Sequence, residues 1–144
     1  MALKIELKPK ERVIIGDCVV TNDAQRTRLV IEGAVPILRE KDIMSLSRAN
    51  SPAKRIYLAV QLMYMAKRPE EHYALYLRLV RDILKAAPST QRLIAGINNR
   101  ILTGELYKAL KETRKLIAYE EELLNHAARQ QSLRDSRQGN RPPA

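Results

Sequence analysis

The sequence contains few of the residue types that build catalytic and metal sites. Among its 144 residues there is one cysteine, there are two histidines and five glycines, and tryptophan and phenylalanine are absent. Cys18 alone cannot form an internal disulfide, and with two histidines on separate segments it gives zinc no recognised ligand spacing. No P-loop, GxGxxG or GxSxG motif occurs. We therefore expect no enzymatic activity, no metal and no cofactor.

Long hydrophobic runs are also missing. No apolar stretch approaches the roughly 18 residues that a membrane-spanning helix needs. The first residues, MALKIELKPKER, lack the apolar core and cleavage site of a signal peptide. A single cysteine fits a reducing compartment. The sequence predicts a cytoplasmic protein with no membrane partner.

Positive charge is abundant and unevenly placed. Lys and Arg number 26 and Asp and Glu number 16, giving a net charge of +10. Residues 1–47 carry a net charge of +1 (eight basic minus seven acidic), whereas residues 48–144 carry +9 (18 minus nine). Such a basic half favours a polyanionic partner, nucleic acid above all. The alternative interpretation is an ordinary Arg-rich helical surface.

The first third of the chain has the pattern of short strands. ALKIELK alternates apolar and charged residues with the period of a half-buried strand, and RVIIG, DCVVT and RTRLVIEG follow between turn residues. AVPILRE is a further strand candidate, in which Pro36 indicates an edge position or a bulge. We predict four or five strands in a small antiparallel sheet or open barrel.

The remainder has the pattern of about four helices. Ser51-Pro52 begins the first, Pro69 with two acids the second, and Ser89 the third. The fourth and longest runs from about Gly104 to Ala127. The predicted fold class is therefore α+β, with a β-rich subdomain over residues 1–47 and a helical subdomain over 48–128 that shares its core. Residues 129–144 are polar and Arg-rich, and we expect a disordered tail there.

Candidate RNA-binding residues lie on the predicted strands rather than among aromatics. All six tyrosines follow Tyr57, so the sheet offers no aromatic ring for base stacking. Basic side chains occupy alternating, solvent-side strand positions, where guanidinium and ammonium groups can contact phosphates or bases. The candidates are Lys4, Lys8, Arg26, Arg28, Arg39 and Lys41.

The segment REKDIM, residues 39–44, has two interpretations. Arg39 and Lys41 are two apart, so on an extended chain they share one face and can contact RNA together. Alternatively, the strand end pairs with acids on neighbouring strands, such as Glu6 or Glu32. In that case the segment locks the sheet onto the first helix, with Ile43 and Met44 packed inward.

We expect the charged residues of the helices to lie on solvent-exposed helix faces. Two sets of basic residues have i, i+3 or i+4 spacing and so line up on one side of a helix. They are Arg78, Arg81 and Lys85, and Lys108, Lys111 and Lys115. Three consecutive acids, Glu120 to Glu122, point in different directions on a helix and are also expected in solvent.

Four segments, in this order, carry a resemblance to a known family. They are LKPKERVIIG, PILREKDIM, SPAKRIYLAVQLMYM and YKALKETRKLIAYEEELL. Together, over residues 2–124, they resemble the flagellum biosynthesis repressor family FlbT of alphaproteobacteria. The resemblance implies a post-transcriptional regulator that binds the 5′ untranslated region of flagellin mRNA and represses its translation or promotes its degradation. It also implies the flagellar regulator FlaF as a partner, and no binding residues are carried over from it.

Two other interpretations remain open. An adaptor that binds flagellin or another flagellar regulator, without RNA, predicts an exposed apolar patch near residues 63–65 or near Tyr73 and Tyr76. A DNA-binding protein would use the polar residues of the third helix, TQRLIAGINNRIL. An exposed edge strand near Pro36 also makes a homodimer a reasonable expectation.

Overall fold

The computed structural model describes residues 2–139 and contains two small antiparallel sheets followed by four α-helices. The strands are β1 (Ala2–Leu7), β2 (Arg12–Ile15), β3 (Cys18–Thr21), β4 (Thr27–Glu32) and β5 (Ile37–Arg39). β1 pairs with β4, and β2 lies between β3 and β5. The α+β prediction is confirmed, with two sheets in place of one and no closed barrel among residues 2–139.

The alternation read from the sequence sets which face of β1 is buried. Ile5 and Leu7 are buried, whereas Lys4, before Ile5, and Glu6, between the two, are exposed. With Val13 of β2 they form a small core between the two sheets. Leu38 of β5 belongs instead to the larger core of the helices, so β5 joins the strands to the helical part.

The helices are α1 (Pro52–Met65), α2 (Tyr73–Ala86), α3 (Gln91–Leu102) and α4 (Leu106–Gly139). Ser51 caps α1 as predicted, because its hydroxyl oxygen accepts a hydrogen bond from the Lys54 N–H at 3.3 Å. α1 buries six side chains and packs against both α2 and α4, which makes it the central helix. No helix among the described residues is long and apolar enough to cross a bilayer.

Two helices begin differently from the prediction. The prolines Pro69 and Pro88 open short 3-10 turns, and α2 and α3 start only after them. Ser89 does not cap α3. Its hydroxyl accepts a hydrogen bond from the Tyr119 hydroxyl at 2.7 Å, which ties the turn to α4.

The fourth helix is longer than the sequence analysis predicted. It continues to Gly139, so the expectation of disorder is wrong for residues 129–139, and the remaining tail lies outside the described residues. Residues 125–138 contain neither proline nor glycine, and the Gln131 amide donates to the Asp135 carboxylate at 3.1 Å across one turn. Helix propensity and such i, i+4 pairs therefore extend the helix without tertiary contacts.

One member of the acidic run is buried, contrary to expectation. Glu121 and Glu122 are exposed, but Glu120 is only 8% exposed. Its carboxylate accepts a hydrogen bond at 2.8 Å from the Ala53 N–H, one of the free donors in the first turn of α1. Glu120 thus joins the last packed turn of α4 to the start of α1.

Candidate nucleic-acid interface

The segment after β5 is held against α1 and α4 by polar contacts. Residues 40–42 form a 3-10 turn, and the Asp42 carboxylate lies 2.6 Å from the Arg114 guanidinium of α4. The Tyr57 hydroxyl donates to the Asp42 carbonyl at 2.5 Å. The Gln61 side chain accepts from the Met44 N–H at 2.7 Å and donates to the Met44 carbonyl at 3.1 Å.

These contacts support the second interpretation of REKDIM. Ile43 and Met44 pack against the helical core, as expected for a segment that locks the sheet onto the first helix. Tyr64 adds a further contact. Its hydroxyl accepts from the Ile37 N–H at 2.9 Å and donates to the Ile37 carbonyl at 3.0 Å, so α1 completes the edge of β5.

A cleft lies between this segment, the apolar face of the β1–β4 sheet and the first turns of α4. One part, about 420 Å³, is lined by Leu3, Ile5 and Ile31 on the sheet side and by Tyr64 and Tyr107 on the helical side. An adjoining hollow of about 490 Å³ shares both tyrosines and reaches Lys108. We call the two together the tyrosine cleft.

The aromatic and cationic groups of the tyrosine cleft are close together. The rings of Tyr64 and Tyr107 have centroids 5.8 Å apart and are tilted by 46°. The Lys111 ammonium stands over the Tyr107 ring, 4.9 Å from its centroid. Tyr107 is 40% exposed, so one ring is open to solvent beside two lysines, Lys108 and Lys111.

Burial sets the ionisation of the inner tyrosines. Desolvation raises the pKa of Tyr64 above its usual value, and the hydrogen bond to Ile37 only partly offsets this rise. Desolvation likewise raises the pKa of Tyr57. Both phenols are therefore neutral at physiological pH.

Arg39 lies in the tyrosine cleft, but its guanidinium is already engaged. It donates to the carbonyl of Glu6 and lies 3.7 Å from the Glu11 carboxylate, with a third of its side chain exposed. The expected ionic partners Glu6 and Glu32 are thus replaced by Glu11. The expectation that Arg39 and Lys41 share one extended face is wrong, because Lys41 is in the 3-10 turn, where the alternation of a strand does not hold.

The remaining predicted residues lie away from the cleft. Lys4 and Arg28 are exposed on the opposite face of the β1–β4 sheet from Leu3 and Ile5, and Arg28 pairs with Glu6 at 3.2 Å. Lys8 and Arg26 are exposed just outside the paired strands. Since this face also carries Glu6 and Glu32, its basic residues do not form a contiguous positive surface.

Sequence reasoning missed the tyrosines because they lie far along the chain from the strands that they cover. Tyr64 follows β5 by 25 residues and Tyr107 by 68, counted from Arg39. The i, i+3 spacing of Lys108 and Lys111 was visible, but not what faces them. Among residues 2–139, no three His, Cys, Asp or Glu side chains are grouped as a metal site would need.

Comparison with known proteins places the chain in a family. The family model described as "Flagellar protein FlbT" matches residues 3–124. The "Probable flagellum biosynthesis repressor protein FlbT 1" of Bradyrhizobium diazoefficiens is 59% identical over 124 residues, 85% of each chain. A "Probable flagellum biosynthesis repressor protein FlbT" of Rhodopseudomonas palustris is 50% identical over 125 residues, 87% of this chain and 99% of its own.

A more distant relative carries the same description. The "Flagellum biosynthesis repressor protein FlbT" of Caulobacter vibrioides is 37% identical over 132 residues, 89% of this chain and 93% of its own. No solved structure matches the chain. These relatives are described as repressors of flagellum biosynthesis. The chain therefore belongs to the FlbT family of flagellar proteins, as its sequence motifs predicted.

Proposed function

We propose that this chain is a cytoplasmic repressor of flagellum biosynthesis that binds the 5′ untranslated region of flagellin mRNA and lowers its translation or promotes its degradation. The descriptions of its relatives as flagellum biosynthesis repressors support the regulatory part. The net charge of +10 and the composition of the tyrosine cleft support the RNA part.

The observation that carries the proposal is the open Tyr107 ring flanked by Lys108 and Lys111. Proteins that bind single-stranded RNA stack unpaired bases on aromatic rings and neutralise the adjacent phosphates with cations. Lys111 forms no ion pair with any described residue, and it is fixed over the ring rather than directed away from it. A base that stacks on Tyr107 thus brings its phosphate to a lysine.

The strand residues have different places in this proposal. Arg39 lines the tyrosine cleft, and Lys41 is exposed next to Asp42, which also lines it, so both belong to the proposed interface. Lys4, Lys8, Arg26 and Arg28 are outside the cleft. In the proposal they contribute through long-range attraction of RNA, a contribution that falls with rising salt.

The test is a binding titration with flagellin leader RNA and a scrambled RNA of equal length, each at two salt concentrations. Tyr107→Leu removes the ring and is expected to weaken leader binding about 5- to 150-fold, since stacking is worth roughly 1–3 kcal/mol per base. Lys111→Ala and Lys4→Ala form a matched pair, because each removes one charge, inside and outside the cleft. Lys111→Ala is expected to have the larger effect.

Two results would contradict the proposal. Equal losses from Lys111→Ala and Lys4→Ala, with Tyr107→Leu unchanged, would place RNA binding elsewhere on the surface. An absence of leader-selective binding at both salt concentrations would exclude direct RNA recognition. Circular dichroism of each variant controls for loss of fold.

A second candidate function is an adaptor that binds flagellin or another flagellar regulator such as FlaF. One observation favours it: the side chains of Tyr73, Leu77 and Leu102 are exposed together beside a groove between α2 and α3. This agrees with the position expected near Tyr73, whereas Tyr76 and Met63 are buried. Calorimetric titration with purified flagellin, without RNA, distinguishes this function from the first.

A further inference from the structure

An exposed apolar patch, here called the α2–α3 patch, consists of Tyr73 and Leu77 from α2 and Leu102 from α3. Their exposed fractions are 39%, 58% and 85%. They border a groove of about 280 Å³ with Ile101 at its side, and the Tyr76 hydroxyl donates to the Asn98 side chain across it. Apolar side chains exposed together beside a groove, rather than scattered singly, are a candidate interaction surface.

The charged residues on either side of the patch follow a fixed order along α2 and the turn before it. Glu70 and Glu71 precede α2, the two patch residues of α2 come next, and Arg81 and Lys85 follow towards its end. Tyr73, Leu77 and Arg81 are spaced by four residues, so they form one stripe. None of these four charged side chains makes an ion pair with another residue of the described range 2–139.

The helix dipole explains part of this order but not all of it. Acids at a helix N-terminus and bases at its C-terminus are favourable in any helix. That effect gives no reason for a tyrosine and a leucine in water between them, or for Leu102 beside them. Asp82 and Arg78, the other charges of α2, are i, i+4 neighbours of opposite sign.

We propose that a second copy of this chain covers the α2–α3 patch, with the two α2 helices antiparallel about a two-fold axis. Antiparallel pairing reverses the order of the residues, so a face that runs acidic, apolar, basic is complementary to itself. Glu71 and Arg81 each lie five residues from Tyr76. A register with the two-fold axis at the level of Tyr76 places Glu71 of each copy opposite Arg81 of the other. It also places Leu77 near the axis.

The apolar residues and the charged residues of this interface have different roles. Burial of tyrosine and leucine side chains drives association, whereas exposed ion pairs mainly fix orientation and register. The interface does not use the tyrosine cleft, which lies between the β1–β4 sheet and α4. The dimer is therefore independent of whether the cleft binds RNA.

Sedimentation of the full-length chain without RNA, over a wide concentration range, tests the proposal. We expect a concentration-dependent dimer. Leu77→Lys should raise the dissociation constant at least tenfold, whereas Leu46→Lys should leave it unchanged. Leu46 is a matched control, because it is 84% exposed and lies outside the patch.

Charge reversal tests the antiparallel register. Glu71→Arg alone and Arg81→Glu alone should each weaken the dimer, and the double variant should restore it. Within one chain the two positions are about 15 Å apart at 1.5 Å per residue, too far to pair, so restoration requires contact between copies. A monomer at all concentrations, or a dimer insensitive to Leu77→Lys, would overturn the proposal. Failure of the double variant to restore the dimer would overturn it as well.

Discussion

The contact between Asp42 and Arg114 gives the most quantitative prediction, because it connects the segment after β5 to α4. The Asp42 side chain is 9% exposed and that of Arg114 is 41% exposed. Breaking a fully buried pair costs about 3–5 kcal/mol, and an exposed pair is worth about 0–1 kcal/mol. Since the carboxylate is buried and the arginine side chain is partly exposed, we expect Arg114→Ala to cost about 2 kcal/mol.

This cost converts into a measurable change in melting temperature. The entropy of unfolding is about 2.1 cal/mol/K per residue, or about 0.3 kcal/mol/K for a chain of this length. A loss of about 2 kcal/mol therefore lowers the melting temperature by about 7 °C. Urea unfolding followed by circular dichroism gives the same free energy independently.

Two further variants make the test specific. Arg129→Ala removes the same side chain from the exposed end of α4, and it should cost less than about 0.5 kcal/mol. Asp42→Asn combined with Arg114→Ala completes a double-mutant cycle, in which the two losses should be less than additive. Equal stability of Arg114→Ala and Arg129→Ala would refute the role assigned to this ion pair.

Two more predictions concern stability. Glu120→Ala should lower the free energy of unfolding by about 1–3 kcal/mol, because it leaves the Ala53 N–H without its buried acceptor. The control Glu121→Ala should be nearly neutral, since that side chain is exposed. Urea unfolding compares the two variants. Burial raises the pKa of Tyr64 and, more strongly, of Tyr76. The unfolded chain thus releases these protons first, near pH 10, so stability should fall as the pH rises above about 10. Tyr76→Phe should flatten that fall, and an equally steep fall in this variant would contradict the assignment.

Local patterns predicted most of the elements correctly. The alternation around Ile5 and the Ser51-Pro52 start of α1 depend on neighbours within a few residues, so sequence alone reveals them. The error at the end of α4 has a local cause too. A polar, Arg-rich composition predicts disorder, although the same residues have good helix propensity.

The candidate interface, in contrast to these elements, does not follow from local sequence patterns. An aromatic-free sheet predicted that no base could stack beside it, and that inference holds for the strands themselves. The structure brings Tyr64 and Tyr107 from α1 and α4 against the apolar face of the β1–β4 sheet. Arg39 was a candidate from strand spacing, but its partners, Glu11 and the Glu6 carbonyl, depend on which strands lie beside β5.

The sequence by itself determined the fold class, the family, the buried face of β1 and the start of α1. Each follows from composition, periodicity or motifs, which are properties of short segments or of their order. Only the tertiary structure decided which charges are free and which are paired, and which rings stand beside them. Those features arise where distant segments meet, since ion pairs and stacking act over a few ångströms in space and not along the chain.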